Sequence, residues 1–392
     1  MTLKAAIYDP YLDTLGGGER YCLSVAEILL KNKYKVDIFW SGNQDILSVA
    51  AKRFNLNLEN INIIPDIFGL VPKNIDLIED ANLKTIHSRP LPSLNLFQKL
   101  KSIYQKYKVL SQYDLVFYLS DGSIPLLFSK KNLLHVQVPL IIKENYLDKF
   151  LNLFKIKFIN KVICNSQFTS KFLNNFPKDK LKILHPPVDV EKFSASENKE
   201  NIILSVGRFD NILNAKKQDV LIEAFKKIHQ NNREFKWKLI LMGGSRDLPE
   251  KNHYLNHLKK LAASLPIEFI VNPEFEQLKE IYSKSKIYWH GAGFGVDEYF
   301  HPEQTEHFGM TVVEAMDSGL VPLVVAKGGL TEIVTESFNG YTWQTIEELV
   351  AKTQLLIATP TELEKLSKAA HDSSQVFSKE NFESKFLDLI SQ

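Results

Sequence analysis

Short β-branched runs alternate with helix-length amphipathic segments along the whole chain, and this alternation constrains the fold before any motif is read. Strand candidates in the first half are KAAIYD, KVDIFW, INII, DLVFYL, LLHVQV, KVICN and LKILH; in the second half they are NIILSVG, WKLILMGG, IEFIV, KIYWH and VPLVVA. Between them lie segments such as GGERYCLSVAEILLKN and QDVLIEAFKKIHQNN, with apolar residues at helical spacing. The pattern predicts α/β architecture with parallel sheets covered on both faces. With 392 residues there is room for two doubly wound, Rossmann-like domains. The division is expected near HPPVDVEKFSASENKEN, residues 185–201, where two prolines lead into a polar, charged linker. That gives domains 1–190 and 191–375, followed by a helical segment 376–392 whose apolar residues must dock.

Doubly wound sheets bind ligands at the C-terminal ends of their strands. If two such edges face each other, the chemistry is expected in the loops after strands, along an interdomain cleft.

Charge and cysteine content narrow the setting. Residues 1–195 hold 26 Lys+Arg against 18 Asp+Glu, and residues 196–392 hold 22 against 28. A basic half and an acidic half suggest that one of them meets an anionic partner. Cys22 and Cys164 lie in apolar stretches, so neither a disulfide framework nor a zinc site is expected. The N-terminus lacks a signal-peptide core, and no run approaches a membrane span. A reducing, cytoplasmic setting is expected.

Three loops carry candidate chemistry. After the first strand, Gly16, Gly17 and Gly18 open a helix and allow close backbone approach to an anion, although tight turns also use glycine for steric reasons alone. In SVGRFDNILNAKKQDVLIEAF, Arg208 stands just beyond a strand and Lys216 and Lys217 precede a helix. A guanidinium fork and an ammonium suit a diphosphate; the pattern alone does not choose between the two lysines. In TEHFGMTVVEAMDSGLVPLVVAKGGLTEIV, a helix is expected from Gly309 and Met310 to its stop at Gly319. Its first amides form an anion site. Glu306 precedes it and Glu314 lies one turn in, where a carboxylate can accept both hydroxyls of a vicinal diol. Gly328 and Gly329 then precede a second helix start with Thr331 as its cap. The helix dipole explains one acid near a helix N-terminus, but not the convergence of two loops with Arg208 and a lysine. Together these groups suit a sugar nucleotide, whose cleavage develops charge on the departing diphosphate.

The chain resembles retaining glycosyltransferase family 4, which has the GT-B fold. The resemblance runs over essentially the whole chain and is strongest in EHFGMTVVE, an E-x7-E motif from Glu306 to Glu314. It implies Glu306 as a sugar-positioning residue, Arg208 and Lys216 as the phosphate-binding pair, and His135 of LLHVQVP near the transferred sugar. It further implies donor contacts from Gly17, Gly18, Phe308, Gly309, Met310, Thr311 and Glu314. The EHFG form resembles mannosyltransferases that use GDP-mannose, though enzymes with other donors share it. Retention of configuration by a front-face mechanism, without a metal or other cofactor, is implied, as is a last helix that crosses back to the first domain.

The stretch GAGFGVDEYFHPEQT departs from that pattern. His290, His301, His307 and Glu303 have irregular spacing for a metal site, so this loop is expected to shape the donor pocket or the cleft entrance. Segments 97–110 and 145–161 mix Phe, Leu, Ile and Tyr with regularly placed Lys. They read equally as core-packed helices with solvated faces or as interfacial helices on the cytoplasmic face of an anionic membrane. The expected partners are a GDP- or UDP-type sugar donor and a glycan or lipid-linked acceptor, with no nucleic acid. A sugar-nucleotide epimerase or hydrolase is the alternative. An NAD-dependent oxidoreductase is disfavoured because GGGERY is not G-x-G-x-x-G, and the full set of site residues speaks against a non-catalytic subunit.

Overall fold

A computed structural model describes residues 2–68, 95–139, 146–193, 196, 198–211, 215–231, 236–245 and 248–391. Most of the stretch 66–95 lies outside the described residues, as does position 145, the first of the segment 145–161. The chain forms two compact units. One comprises residues 1–165, 170–184 and 383–392; the other comprises 166–169 and 185–382. The change of unit thus falls at Leu184 and His185, six residues ahead of the expected 190, because the strand before it ends at Ile183.

The first unit is built on β1 (Lys4–Tyr8), β2 (Lys35–Phe39), β3 (Asn62–Ile64), β4 (Leu115–Leu119), β5 (Lys131–Val136), β6 (Lys161–Cys164) and β7 (Leu181–Ile183). All pair in parallel, in the order β3-β2-β1-β4-β5-β6-β7. LVFYL of β4 is buried along its entire length, as a central strand covered on both faces must be. Cys22 and Cys164 are buried free thiols. The last helix, Lys379–Ser391, begins in the second unit and ends in the first. There Phe386 meets the Phe117 ring edge-on, and Lys161 Nζ donates to Leu389 O at 2.7 Å. Residues 376–382, expected to travel with that helix, stay in the second unit, where Phe377 O accepts from Val188 N at 3.0 Å.

The second unit contains β8 (Ile202–Val206), β9 (Lys238–Gly243), β10 (Ile267–Val271), β11 (Ile287–His290), β12 (Val321–Val325) and β13 (Tyr341–Trp343). These too are all parallel, in the order β10-β9-β8-β11-β12-β13. β13 was not anticipated: YTW is three residues long and acquires strand character only by pairing with β12. Trp289, fully buried, donates its indole N–H to Thr353 Oγ1 at 3.2 Å. It thereby ties β11 to the helix Ile346–Ala358. Both units are doubly wound, with order reversals between β1 and β4 and between β8 and β11.

Candidate active site

In the second unit the loops leaving β8 and β11 diverge at the reversal of strand order, the place where an open α/β sheet forms a ligand crevice. Three side chains from three segments meet there. The stem of Lys216 lies across Gly207, where a Cβ would come within 2.5 Å of Lys216 Cγ. Lys216 Nζ donates to Glu306 Oε2 at 2.5 Å. His290, the last residue of β11, brings Nε2 to 3.1 Å from the same oxygen. His290 is buried and its Nδ1 has no partner among the described residues. Burial lowers its pKa despite the neighbouring carboxylate, so the imidazole is neutral. Burial pulls Glu306 the other way, towards protonation, but Lys216 and His290 outweigh it and hold the carboxyl well below its ordinary range. Glu306 is therefore charged at neutral pH.

Backbone packing fixes this carboxylate. Gly329 N donates to Glu306 O at 2.8 Å. A Cβ on Gly328 would lie 2.3 Å from Glu306 O, and one on Gly329 2.3 Å from His307 O. Only glycines allow that approach. The second helix start expected there is a 3-10 turn, Gly328–Glu332, capped by Lys327. Thr331 lies inside it and donates to Gly328 O at 3.1 Å, so it is not the cap. Gly309, with φ of +112°, caps the helix Met310–Asp317. The amides of Met310 and Thr311 have no acceptor within that helix and present its positive end. Glu314, one turn on, is buried with Oε2 3.3 Å from the Tyr282 hydroxyl, which also lies 3.2 Å from Thr311 O. Gly319, at φ +69°, follows the end of the helix.

The family described as Glycosyl transferases group 1 matches residues 189–373. A Xenopus laevis protein, GDP-Man:Man(3)GlcNAc(2)-PP-Dol alpha-1,2-mannosyltransferase, is 27% identical over 97% of this chain and 86% of its own length. Among solved structures, a glycosyltransferase from Rickettsia africae superposes with a TM-score of 0.72 at 18% identity, covering 99% of this chain and 97% of its own. HepE of Anabaena, solved with UDP and glucose, gives 0.65 at 16% identity, with 99% of both chains covered. The chain is a glycosyltransferase of GT-B fold.

In this glycosyltransferase the remaining expected site residues divide. Arg208 follows β8, but its half-exposed guanidinium pairs with Asp210 at 3.4 Å and does not join Lys216 and Glu306. Phe308 turns away from the crevice: it is buried, stacked on His185 at 5.4 Å and edge-on to Phe377 at 5.3 Å. A ring there anchors the loop and leaves only its backbone for a ligand. In the first unit Gly17 and Gly18 open the helix Gly17–Lys31. Gly16 N donates to Glu19 Oε2 at 2.5 Å, and Thr14 Oγ1 donates to the same oxygen at 2.7 Å.

His135 is not at a loop. It lies within β5, fully buried, with Nδ1 3.0 Å from Ile163 O and its ring stacked on Tyr21 at 4.0 Å. Burial takes its pKa to about 3, so it is a neutral core residue. Gln137, just past the strand end, is the side chain beside the glycine loop, with Nε2 donating to Gly18 O at 3.3 Å. Its place one residue beyond LLHV was the available signal. For His290, which the sequence offers as a candidate metal ligand, the available signal is its position at the end of a central strand.

The loop 291–305 is held to the turn at Gly328: Glu298 Oε2 accepts from Gly328 N at 2.8 Å, and Lys327 Nζ donates to Val296 O. His301 pairs with Glu303 at 3.3 Å, and buried His307 is held neutral, its pKa taken down to about 4 by burial. Among the described residues no group of three His, Cys, Asp or Glu could hold a metal.

Proposed function

We propose that this enzyme transfers mannose from GDP-mannose to a lipid-linked glycan, with retention of anomeric configuration and without a metal. The observation that carries the reading is the meeting of Lys216, Glu306 and the amide end of helix Met310–Asp317 at one sheet edge. The similarity to a GDP-mannose-dependent enzyme over nearly the whole chain supports the choice of donor and acceptor.

Lys216 uses one N–H on Glu306, leaving two for phosphate oxygens. Arg208, free to exchange Asp210 for the diphosphate, adds a bidentate cation. The amides of Met310 and Thr311 add donors that need no reorganisation as charge develops on the leaving group. Glu314 accepts from the ribose hydroxyls. Glu306, held charged, orients the sugar hydroxyls beside the reacting carbon, and a departing phosphate oxygen takes the acceptor proton on the same face. Gly17 and Gly18 give the first unit its own anion-facing amides. No helix among the described residues is long and apolar enough to cross a membrane. In this reading the enzyme reaches its lipid-linked acceptor by peripheral attachment at the cytoplasmic face.

Melting temperature with GDP, UDP, ADP and NAD in turn tests the donor site. A ligand at about 100 times its dissociation constant adds roughly 2.7 kcal/mol. A shift with GDP above the others is expected, and product from GDP-mannose should carry the α configuration by NMR. A shift with NAD alone, or release of free sugar with no glycoside in the presence of acceptor, would overturn the reading.

A further inference from the structure

Surface helices normally hide their apolar stripe. Two in the first unit do not. Leu96–Leu110 leaves Phe97 (76% exposed), Leu100, Tyr104 and Tyr107 in solvent, spaced three or four residues apart and so aligned on one side. Tyr146–Ile156 likewise exposes Tyr146 (95%), Phe150 (71%) and Phe154. Of the 21 exposed large apolar side chains among the described residues, ten lie on these two helices, which make a patch of them and not a scatter.

The two helices share one surface. Tyr107 meets Phe128 at 5.5 Å, Phe128 meets Phe158 at 5.8 Å, and Phe158 meets Phe154 at 5.3 Å, so an aromatic row joins their C-terminal ends. Lys106 of the first helix lies near enough to Lys155 of the second to feel its charge. Residues 96–110 and 146–157 hold seven lysines and a single acid, Asp148. Lysine recurs within the apolar stripe itself, unlike the core of a protein–protein interface, from which charge is depleted. Aromatic and aliphatic groups interleaved with lysine, and almost no acid, match the boundary of an anionic bilayer: rings enter the headgroup layer and ammonium groups meet lipid phosphates.

We propose that helices Leu96–Leu110 and Tyr146–Ile156 form a docking face for an anionic membrane. The inference rests on the lipid-linked acceptor proposed above and deepens it by naming the surface that brings the enzyme to that acceptor.

Sedimentation of the full chain with phosphatidylcholine vesicles, with and without an anionic phospholipid, tests it. Binding is expected only to the anionic vesicles and should weaken with salt. Lys101→Glu and Lys149→Glu, both at exposed positions, should each weaken partitioning by about fivefold or more. Tyr146→Glu with Phe150→Glu should weaken it by at least about tenfold. The GDP-induced rise in melting temperature should be unchanged in every variant, which also shows that they fold. Wild type that stays in the supernatant with anionic vesicles overturns the proposal. So does unaltered binding by the variants, or a wild-type dimer that the variants dissociate without vesicle binding. Vesicle binding with no nucleotide response would instead sink the donor reading and leave the docking face standing.

Discussion

Lys216 Nζ and Glu306 Oε2 lie 2.5 Å apart although the residues are ninety positions apart in the chain. Both side chains are largely shielded, and buried His290 stands on the same oxygen at 3.1 Å. A charge pair this enclosed is strongly coupled, and removing one partner leaves the other desolvated and unpaired. Its worth to the enzyme is positional: the ammonium is fixed beside the carboxylate before any donor arrives.

Lys216→Ala should therefore lower turnover by roughly two to three orders of magnitude, as loss of a preorganised charge stabiliser does. Lys217 takes no part in the contact of Lys216 and His290 with Glu306; it takes up the left-handed conformation at φ +55°. Lys217→Ala should leave turnover within a few-fold of wild type. Steady-state kinetics with GDP-mannose compares the two, and the opposite ranking would transfer the phosphate role to Lys217.

Glu314→Ala should act on nucleotide affinity. Losing a hydrogen bond to a charged group costs about 1.5–3 kcal/mol, which corresponds to roughly a 10- to 150-fold rise in the GDP dissociation constant. Calorimetric titration with GDP measures it directly. An unchanged constant would remove Glu314 from the ribose.

Gly328→Ala places a Cβ 2.3 Å from Glu306 O at a residue with φ +63°. Backbone strain of this kind costs about 1–3 kcal/mol, and the clash must also shift Glu306. A lowered melting temperature and a lower kcat are expected together. Gly295→Ala is the control: φ is +74°, but nothing lies within 4 Å of the added carbon, so strain should appear without the loss of kcat.

Asp317→Asn should stabilise the protein at neutral pH. Burial at the C-terminal end of helix Met310–Asp317 raises the Asp317 carboxyl to about 6 from an ordinary 3.8. Between those values the folded chain binds more protons than the unfolded one, so stability falls as pH rises and stays lower above pH 6. Asparagine removes that cost and keeps an oxygen for Gln375 Nε2, now 2.8 Å from Asp317 Oδ1. Thermal melts should show a gain of roughly 1–3 kcal/mol at pH 7.5 that vanishes near pH 4. An equal gain at both values would mean that the charge is not the cause.

Local pattern carried the architecture a long way. Hydrophobic periodicity is written residue by residue, so alternating runs such as NIILSVG and QDVLIEAF announced parallel strands and their covering helices. The glycines of the 309 and 328 turns, the helix between Glu306 and Gly319, and the carboxylates at its start were equally legible, because each is a short-range requirement of backbone geometry.

Tertiary structure decided which side chains meet. The adjacency of β8 and β11 brings Lys216, and not Lys217, onto Glu306 and adds His290. The end of β5 at Val136 leaves His135 inside the sheet and puts Gln137 at the glycine loop. Arg208 turns to Asp210, and Phe308 to His185 and Phe377. None of these could be read from spacing. Where a strand stops, and which strand lies beside it, depends on pairing between segments tens of residues apart, and a side chain's direction follows from that pairing.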